Sequence, residues 1–220
     1  MKMTILAANG RIARIVEKRI LNEEKFGDVE LTLMLRNSGR MSSLADNPRV
    51  TLVEGDLNDY DDVRKAVDGA DLVFNAVVDH DGRNRPTENI IRAMKECGSD
   101  RLILTNILGI YDEVGGEFGK WNRDTCFGGR VDAGNPVVVS DRLAEESGLD
   151  YTTLRLPWLN DRDEVRYSIT HRHDEFVGVS ASRQSIADVV LRIVADPSYG
   201  SRDSLGIGDP DTQGMNRPVY

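Results

Sequence analysis

The sequence lacks long hydrophobic runs and an excess of positive charge. No stretch of the 220 residues approaches the roughly 20 apolar residues that a membrane-spanning helix requires. Acidic residues outnumber basic ones by 37 to 28, and a formal net charge of −9 disfavours duplex DNA or an anionic membrane as the main partner. We therefore expect a globular protein with no nucleic acid and no membrane among its partners.

Cysteine and histidine are also scarce. The two cysteines, Cys97 and Cys126, have no metal-like spacing and are most simply free thiols in a reducing cytosol. His171 and His173 alternate on a strand-like segment, but no third ligand matches them, so we predict no metal site. The first ten residues lack the apolar stretch and cleavage site of a secretory signal, which makes the cytoplasm the expected location.

Short apolar runs alternate with amphipathic stretches along the chain, a pattern that predicts βαβ units on a parallel sheet. The predicted strands are 3–6, 31–35, 50–53, 72–74, 101–104, 151–156 and 204–207. The predicted helices are 12–22, 59–67, 87–97, one ending near 147–148, and 185–195. On the first helix Ile12, Val16 and Ile20 fall near one face, while Arg14, Glu17 and Lys18 are predicted to face outward.

Two regions depart from this alternation. Residues 115–134 are rich in Gly, Asp and Arg and are predicted to form a loop over the sheet edge. Strand-like pieces from about 158 to 184 are predicted to form a small cap on the substrate side. No linker or internal repeat is evident, so we expect one domain over residues 1–220.

The turn after the first strand reads AANGRIA, a strand–turn–helix segment with glycine in the turn. Glycine lets a pyrophosphate approach the backbone, and the following helix directs free N–H groups at it. Aligned on G-x-x-G-x-x-G, only Gly10 is present, because Ala7 and Ala13 replace the outer glycines. A plain strand–helix turn is therefore an equal alternative.

The end of the second strand carries basic rather than acidic residues. An acidic residue there accepts the ribose hydroxyls of NAD, whereas arginine suits the 2′-phosphate of NADP. This segment contains Arg36, Ser38 and Arg40. The pattern favours NADP(H), with NAD(H) as the alternative cofactor; ordinary solvated surface arginines are the competing explanation.

Six segments in order resemble one family. AANGRIA, LRNSGRM, VEGDLNDYDDVRKAVDGADLVFNAV, RLILTNILGIY, SGLDYTTLRLPWL and SRQSIADVVLRIVADP together resemble the NmrA-like, NAD(P)-binding group of atypical short-chain dehydrogenases/reductases. The resemblance covers nearly the whole chain. It implies a Rossmann-type doubly wound parallel sheet with helices on both faces.

The resemblance also implies a set of cofactor-binding residues at the ends of several strands. Asp56 and Leu57 would flank the adenine, although a helix N-cap or turn carboxylate is an equal alternative for Asp56. Thr105 and Pro157 would lie near the nicotinamide. The full set carried over is Ala7, Asn9, Gly10, Arg11, Ile12, Arg36, Arg40, Asp56, Leu57, Asn75, Ala76, Val77, Thr105 and Pro157.

The chain departs from better-known members of that family in its catalytic residues. It has no Tyr-x-x-x-Lys pair, since Tyr111 is followed four residues later by Gly115. Thr105 and Tyr111 are the candidate catalytic residues, although packing under the loop is a slightly favoured explanation for Tyr111. Trp121, Phe127 and Trp158 are candidates for lining an acceptor pocket, with core packing as the alternative.

Two kinds of function fit these observations. One is an NADP(H)-dependent oxidoreductase that transfers hydride to a small conjugated acceptor, such as a flavin or quinone, which needs little acid catalysis. The other is a non-catalytic NAD(P)-binding redox sensor that acts on a partner. A sugar-nucleotide epimerase or dehydratase is disfavoured by the short C-terminal half and the missing tyrosine–lysine pair. The sequence leaves the oligomeric state open.

Overall fold

The computed structural model describes residues 1–220 as ten strands, six α-helices and three short 3-10 helices. The strands are β1 (Lys2–Leu6), β2 (Glu30–Leu35), β3 (Val50–Glu54), β4 (Leu72–Asn75), β5 (Arg101–Ile107), β6 (Asp150–Leu156), β7 (Trp158–Asn160), β8 (Ser168–Thr170), β9 (Ser180–Ser182) and β10 (Asp203–Gly208). The α-helices are α1 (Arg11–Asn22), α2 (Tyr60–Val67), α3 (Arg85–Cys97), α4 (Gly116–Phe127), α5 (Pro136–Glu146) and α6 (Arg183–Ala195).

Eight strands form one sheet in the order β3-β2-β1-β4-β5-β6-β10-β8. All neighbours are parallel except β8, which pairs antiparallel with β10. The chain runs outward from β1 to β3 and then resumes on the other side with β4. This reversal places a crevice outside the carboxyl ends of β1 and β4, where doubly wound sheets bind their ligands. The predicted Rossmann-type α/β fold is confirmed.

The sheet is apolar because both of its faces are covered. Ile5 and Leu33 contribute to a layer shared with α1 and α6, whereas Leu6 and Met34 contribute to a layer shared with α2 and α3. Alternate residues of one strand thus enter different cores, which is why the strands read as nearly continuous hydrophobic runs. No helix combines the length and the hydrophobicity that crossing a membrane would take.

The predicted loop over residues 115–134 is wrong, because α4 occupies its first half. The segment is helical despite its glycines because tertiary packing outweighs their low helix propensity. Phe118 and Phe127 are buried in two separate apolar clusters. A Cβ at Gly119 would lie 1.9 Å from the carbonyl oxygen of Val114, so this turn of helix packs too closely for any side chain.

The outward orientation predicted for Glu17 is also wrong. Its side chain is 2% exposed on α1, which packs against both the sheet and α6 and therefore buries more than its apolar stripe. The Oε1 atom has no hydrogen-bond partner, and Arg14 lies 3.8 Å from the other oxygen. Burial raises the pKa of Glu17 to about 8, although the charge of Arg14 opposes the shift.

Residues 158–184 form short strands, but not all of one kind. Strand β8 extends the main sheet as its antiparallel edge, while β7 and β9 pair in parallel as a separate two-stranded sheet. Strand β7 follows β6 after a single residue, Pro157. This brings the segment toward the carboxyl edge of the main sheet; its role as a substrate cap stays a prediction.

Candidate functional site

A cleft of about 660 Å³ opens at the reversal point of the sheet. Its walls come from the carboxyl ends of β1, β2, β3 and β4 and from the start of α3. It brings together ten of the residues predicted to bind a cofactor: Ala7, Asn9, Gly10, Arg36, Arg40, Asp56, Leu57, Asn75, Ala76 and Val77. These ten residues therefore lie in the same cleft, while the role of each in cofactor binding stays a prediction.

The turn from β1 to α1 fits a phosphate group. Helix α1 begins with no side-chain cap and no acidic residue in its first turn, so its initial N–H groups are available to an anion. A Cβ at Gly10 would make only ordinary contacts, at 3.4 Å from the carbonyl oxygen of Ala7 and 3.7 Å from that of Ala76. The fold itself does not require glycine there, but a close-lying ligand would.

Ala7 takes the left-handed conformation, with φ of 57°, at the position of the first glycine of the motif. Its carbonyl oxygen accepts a hydrogen bond from the N–H of Gly10 at 3.1 Å, which closes the turn. This backbone conformation is energetically unfavourable for an L-residue with a Cβ but not for glycine. The substitution therefore keeps the shape of the turn while storing strain in it.

The end of β2 carries unpaired positive charge. Arg36 and Arg40 are exposed on the cleft wall, and neither makes an ion pair with an acidic side chain. Ser38, between them, donates from its hydroxyl and from its backbone N–H to Glu54 at the end of β3. These hydrogen bonds, the side-chain one foremost, lower the pKa of Glu54. Glu54 was not among the site residues predicted from the sequence.

Asp56 forms a turn next to the cleft. Its Oδ1 accepts hydrogen bonds from the backbone N–H and the side-chain amide of Asn58, both at 2.9 Å. These bonds, with the backbone bond contributing most, lower the pKa of Asp56. Asp59 rather than Asp56 caps α2, so the helix-cap alternative for Asp56 does not hold. The Oδ2 atom keeps no protein partner and lies in the wall where an adenine is predicted.

Asn75 lies beneath the cleft at the end of β4 and is fully buried. Its amide nitrogen donates to the carbonyl oxygen of Val77 at 3.0 Å, which fixes the turn that leaves the strand. Its amide oxygen has no hydrogen-bond partner in the protein. Buried polar atoms are normally satisfied, so this oxygen fits a site completed by a polar ligand or an ordered water.

The segment between β4 and α3 also lines the cleft and was not among the residues predicted from the sequence. Asp79 is buried and accepts hydrogen bonds from the hydroxyl and backbone N–H of Thr87, at 2.6 and 3.1 Å, which anchors the start of α3. Arg85 pairs with Asp81 at 3.0 Å. A signal was available, because the segment directly follows a strand end at the edge that holds Gly10. The missed lining residues of this segment are Val78, Asp79, His80, Asp81, Arg85 and Pro86.

Four residues predicted to bind the cofactor do not line this cleft: Arg11, Ile12, Thr105 and Pro157. Thr105 lies inside β5, which continues to Ile107, and is nearly fully buried beside Leu154 of β6. Pro157 is buried as well. Arg11 points to Asp161 after β7. Contacts of these residues with a dinucleotide stay predictions.

Tyr111 sits in a packed polar cluster. Its hydroxyl donates to buried Asp141 at 2.6 Å, and the guanidinium groups of Arg155 and Arg172 each lie 5.3 Å from its ring centre. Burial, reinforced by the charge of Asp141, raises the pKa of Tyr111 far above its ordinary value. Burial also raises the pKa of Asp141. A phenol of raised pKa is a weak proton donor, which favours the packing role; a catalytic role stays a prediction.

The three aromatic residues proposed for an acceptor pocket do not come together. Trp121 packs on Trp158 with ring centres 4.8 Å apart, and Arg217 lies 5.2 Å from the Trp121 ring. Phe127 instead packs in a separate cluster with Ile110 and Val137. Phe127 therefore follows the core-packing alternative and is no candidate for the acceptor pocket.

Comparisons with known proteins agree with this architecture. A family model described as NAD(P)H-binding matches residues 7–197. A short-chain dehydrogenase/reductase (wide type) from Veillonella parvula DSM 2008, solved in complex with NADP, is 26% identical with a TM-score of 0.86, covering 100% of this chain and 99% of that one. A Rossmann-fold NAD(P)-binding family protein from Shigella flexneri is 27% identical with a TM-score of 0.78, covering 100% and 98%.

A more distant structure shares the fold alone. An anaerobillin reductase from Escherichia coli O157:H7 is 17% identical with a TM-score of 0.72, covering 98% of this chain and 100% of that one. No curated protein matches the chain. The family match and these structures confirm the resemblance to atypical short-chain dehydrogenases/reductases; the narrower NmrA-like assignment stays a prediction.

Proposed function

The chain belongs to the NAD(P)H-binding family, and from that premise we propose that it is an NADP(H)-dependent oxidoreductase acting on a small conjugated acceptor. The observation that carries the choice of cofactor is the pair of exposed, unpaired arginines, Arg36 and Arg40, in the cleft wall at the end of β2. Guanidinium groups offer several N–H donors in a plane that suits phosphate oxygens. The NADP-bound Veillonella parvula relative supports the same choice.

The residues of the cleft divide the work of holding a dinucleotide. The open N-terminus of α1 and the Asn9–Gly10 turn would hold the pyrophosphate, and Arg36 with Arg40 would hold the 2′-phosphate. Asp56 and Leu57 would border the adenine. Nicotinamide, when bound, supplies the hydride, and the chain's own task is to orient it and exclude water from its face.

The nature of the acceptor follows from the acid–base groups. The hydroxyl of Tyr111 already donates to Asp141, and no lysine follows it at the fourth position. A carbonyl that must gain a proton during reduction therefore has no evident donor. A flavin or quinone ring spreads the incoming charge over several atoms, so it needs little help from an acid.

A non-catalytic NAD(P)-binding sensor is the second candidate. The observation in its favour is that Thr105 and Pro157, the two residues predicted to lie near the nicotinamide, are buried and carry no ionisable side chain. A sensor needs discrimination between cofactor states, and it needs no proton donor. The two candidates share the binding cleft and differ only in turnover.

One cuvette experiment separates them. Purified protein is titrated with NADPH and with NADH while nicotinamide fluorescence is followed, and riboflavin or menadione is then added. Tight NADPH binding followed by acceptor-dependent loss of NADPH absorbance supports the reductase. Tight binding without oxidation moves the assignment to a sensor. Equal affinity for the two nucleotides contradicts the NADP(H) preference, and binding of neither contradicts the proposal.

A further inference from the structure

A charged group joins the starts of two neighbouring helices. Arg11 and Arg183 are the first residues of α1 and α6, which pack against each other. Both guanidinium groups contact Asp161, the residue after β7; Nη1 of Arg183 lies 2.8 Å from Oδ1, and Arg11 contacts Oδ2. Partial desolvation would raise the pKa of Asp161, but these two arginines lower it, so the carboxylate stays ionised near neutral pH.

An open cleft of about 440 Å³ adjoins this group. Its lining contains three guanidinium groups, those of Arg11, Arg162 and Arg183, against the side-chain carboxylate of Asp161 and the C-terminal residue Tyr220. Arg162 is exposed and makes no ion pair. The chain as a whole has a net charge of −9, so the positive charge in this cleft is opposite in sign to that of the protein. The excess therefore marks this cleft as a place for an anion.

The position of the arginine cleft relates it to the proposed reaction. Arg11 directly follows Gly10, which lines the dinucleotide cleft. Leu159, which gives the arginine cleft an apolar wall, lies two residues after Pro157, the residue predicted on the nicotinamide side. The arginine cleft is thus continuous along the chain, at both of these points, with residues that line or are predicted to border the dinucleotide site.

We propose that this cleft binds a phosphate or carboxylate substituent of the acceptor, so that the protein selects anionic conjugated acceptors over neutral ones. The inference rests on the proposed function and specifies its substrate class. Asp161 holds Arg11 and Arg183 in place and competes with the incoming anion. Arg162 contributes a charge that makes no ion pair within the protein. Removing Asp161 and removing Arg162 should therefore have opposite effects.

FMN and riboflavin provide a matched pair of probes, because they share one redox ring and differ in the phosphate. Binding is measured by quenching of flavin fluorescence, with and without saturating NADP⁺, so no hydride transfer is needed. We expect FMN to bind roughly three- to tenfold more tightly than riboflavin. Arg162→Gln should bring this ratio to about two or less, and Asp161→Asn should raise it. Arg130→Gln, an exposed arginine on another loop, makes the same charge change and should leave the ratio unaltered.

The outcomes separate the subsite from the reaction. Equal binding of FMN and riboflavin overturns the proposal, as does an Arg162→Gln variant that keeps the wild-type ratio. A preference that is present without NADP⁺ and lost when NADP⁺ is saturating also overturns it, because the cleft would then belong to the cofactor. A preference that persists with NADP⁺ bound, in a protein that never oxidises NADPH, supports the subsite and contradicts the reductase. The two failures are thus distinguishable.

Discussion

Ser38 donates two hydrogen bonds to a single oxygen of Glu54, from its hydroxyl at 2.7 Å and from its backbone N–H at 3.1 Å. Strands β2 and β3 are in register at Leu35 and Glu54, so Glu54 pairs with the residue that directly precedes Arg36. A carboxylate thus occupies donors that a 2′-phosphate would use, and its charge opposes a phosphate placed there. Glu54 is expected to weaken NADP(H) binding more than NAD(H) binding.

Replacing Glu54 tests this relationship. Glu54→Gln removes the negative charge but keeps a group that accepts from Ser38, so NADPH affinity should rise about three- to fivefold while NADH affinity changes less than twofold. Fluorescence titration of both nucleotides measures the difference. Glu30→Gln, at the opposite end of β2, makes the same charge change away from the cleft and serves as the control. Equal gains for both nucleotides would contradict a role for Glu54 at the 2′-position.

Replacing Arg36 should act in the reverse direction. Arg36→Gln would remove the charge-assisted hydrogen bonds proposed to the 2′-phosphate, so NADPH affinity should fall about tenfold and NADH affinity should stay within twofold. The same titrations report the effect at low and high salt, and the loss should shrink as salt rises. Arg142→Gln on α5 is the matched control. A loss shared equally by both nucleotides would show that Arg36 contacts a part common to them.

Ala7→Gly should stabilise the fold. The left-handed backbone at Ala7 costs an L-residue about 1–2 kcal/mol, whereas the added flexibility of an unfolded glycine costs about 0.4–1 kcal/mol. We expect a net gain of about 0.5–1 kcal/mol in the free energy of unfolding, measured with urea. Ala45→Gly is the control, because Ala45 has a right-handed backbone that alanine adopts without strain. This substitution should therefore lower the free energy of unfolding. A loss of stability in Ala7→Gly would mean that the turn does not store strain.

Glu17 should make stability depend on pH. The folded state holds its carboxyl protonated up to about pH 8, whereas the unfolded chain ionises it near pH 4.5. The stability it confers is fully present below pH 4.5 and is lost as pH rises to about 8. Glu17→Gln should therefore match the wild type near pH 5 and exceed it by up to about 3 kcal/mol near pH 8.

Urea unfolding at the two pH values measures the effect of Glu17. The exposed carboxylate Glu24, just beyond α1, provides the comparison, because Glu24→Gln should shift stability equally at both pH values. If the advantage of Glu17→Gln were the same at pH 5 and pH 8, Glu17 would not be protonated in the folded protein.

Tyr111→Phe should impair stability more than turnover. The variant leaves the buried carboxylate of Asp141 without its phenolic donor, which should lower the free energy of unfolding by about 1–3 kcal/mol. NADPH oxidation per folded molecule should stay within about twofold. Thermal unfolding and steady-state rates are the two measurements. A hundredfold loss of turnover in a stably folded variant would identify Tyr111 as a proton donor after all.

The order of strands and helices could be predicted from the sequence because hydrophobic periodicity and the residues at strand ends follow from local backbone geometry. Strands with buried faces, such as Leu31–Leu35 within β2, read directly as apolar runs. Helix α4 could not be predicted this way. Its Gly119 is required by a close contact with the backbone of Val114, which lies in the segment between β5 and α4, and this contact leaves no pattern in the sequence. Glycine content alone cannot separate a loop from a tightly packed helix.

Side-chain direction was the least predictable part of the site. The convergence of Gly10, Arg36 and Asn75 follows from strand order, since the carboxyl ends of parallel strands meet at one edge. The pairing of Arg11 with Asp161 joins residues 150 positions apart and depends on how β7 leaves the main sheet. Glu17 gave no sequence signal either, because it is a charged residue whose burial depends on how α1 packs in the tertiary structure.

The position of β10 has a consequence for how the chain is synthesised. This strand, formed by Asp203–Gly208, pairs on one side with β6 and on the other with β8. Until the ribosome has released these residues, β6 presents an open edge of unpaired N–H and C=O groups, and β8 has no neighbour in the main sheet. A nascent chain stalled before residue 203 would thus expose a ready template for another strand, and we expect aggregation to be favoured most in that interval.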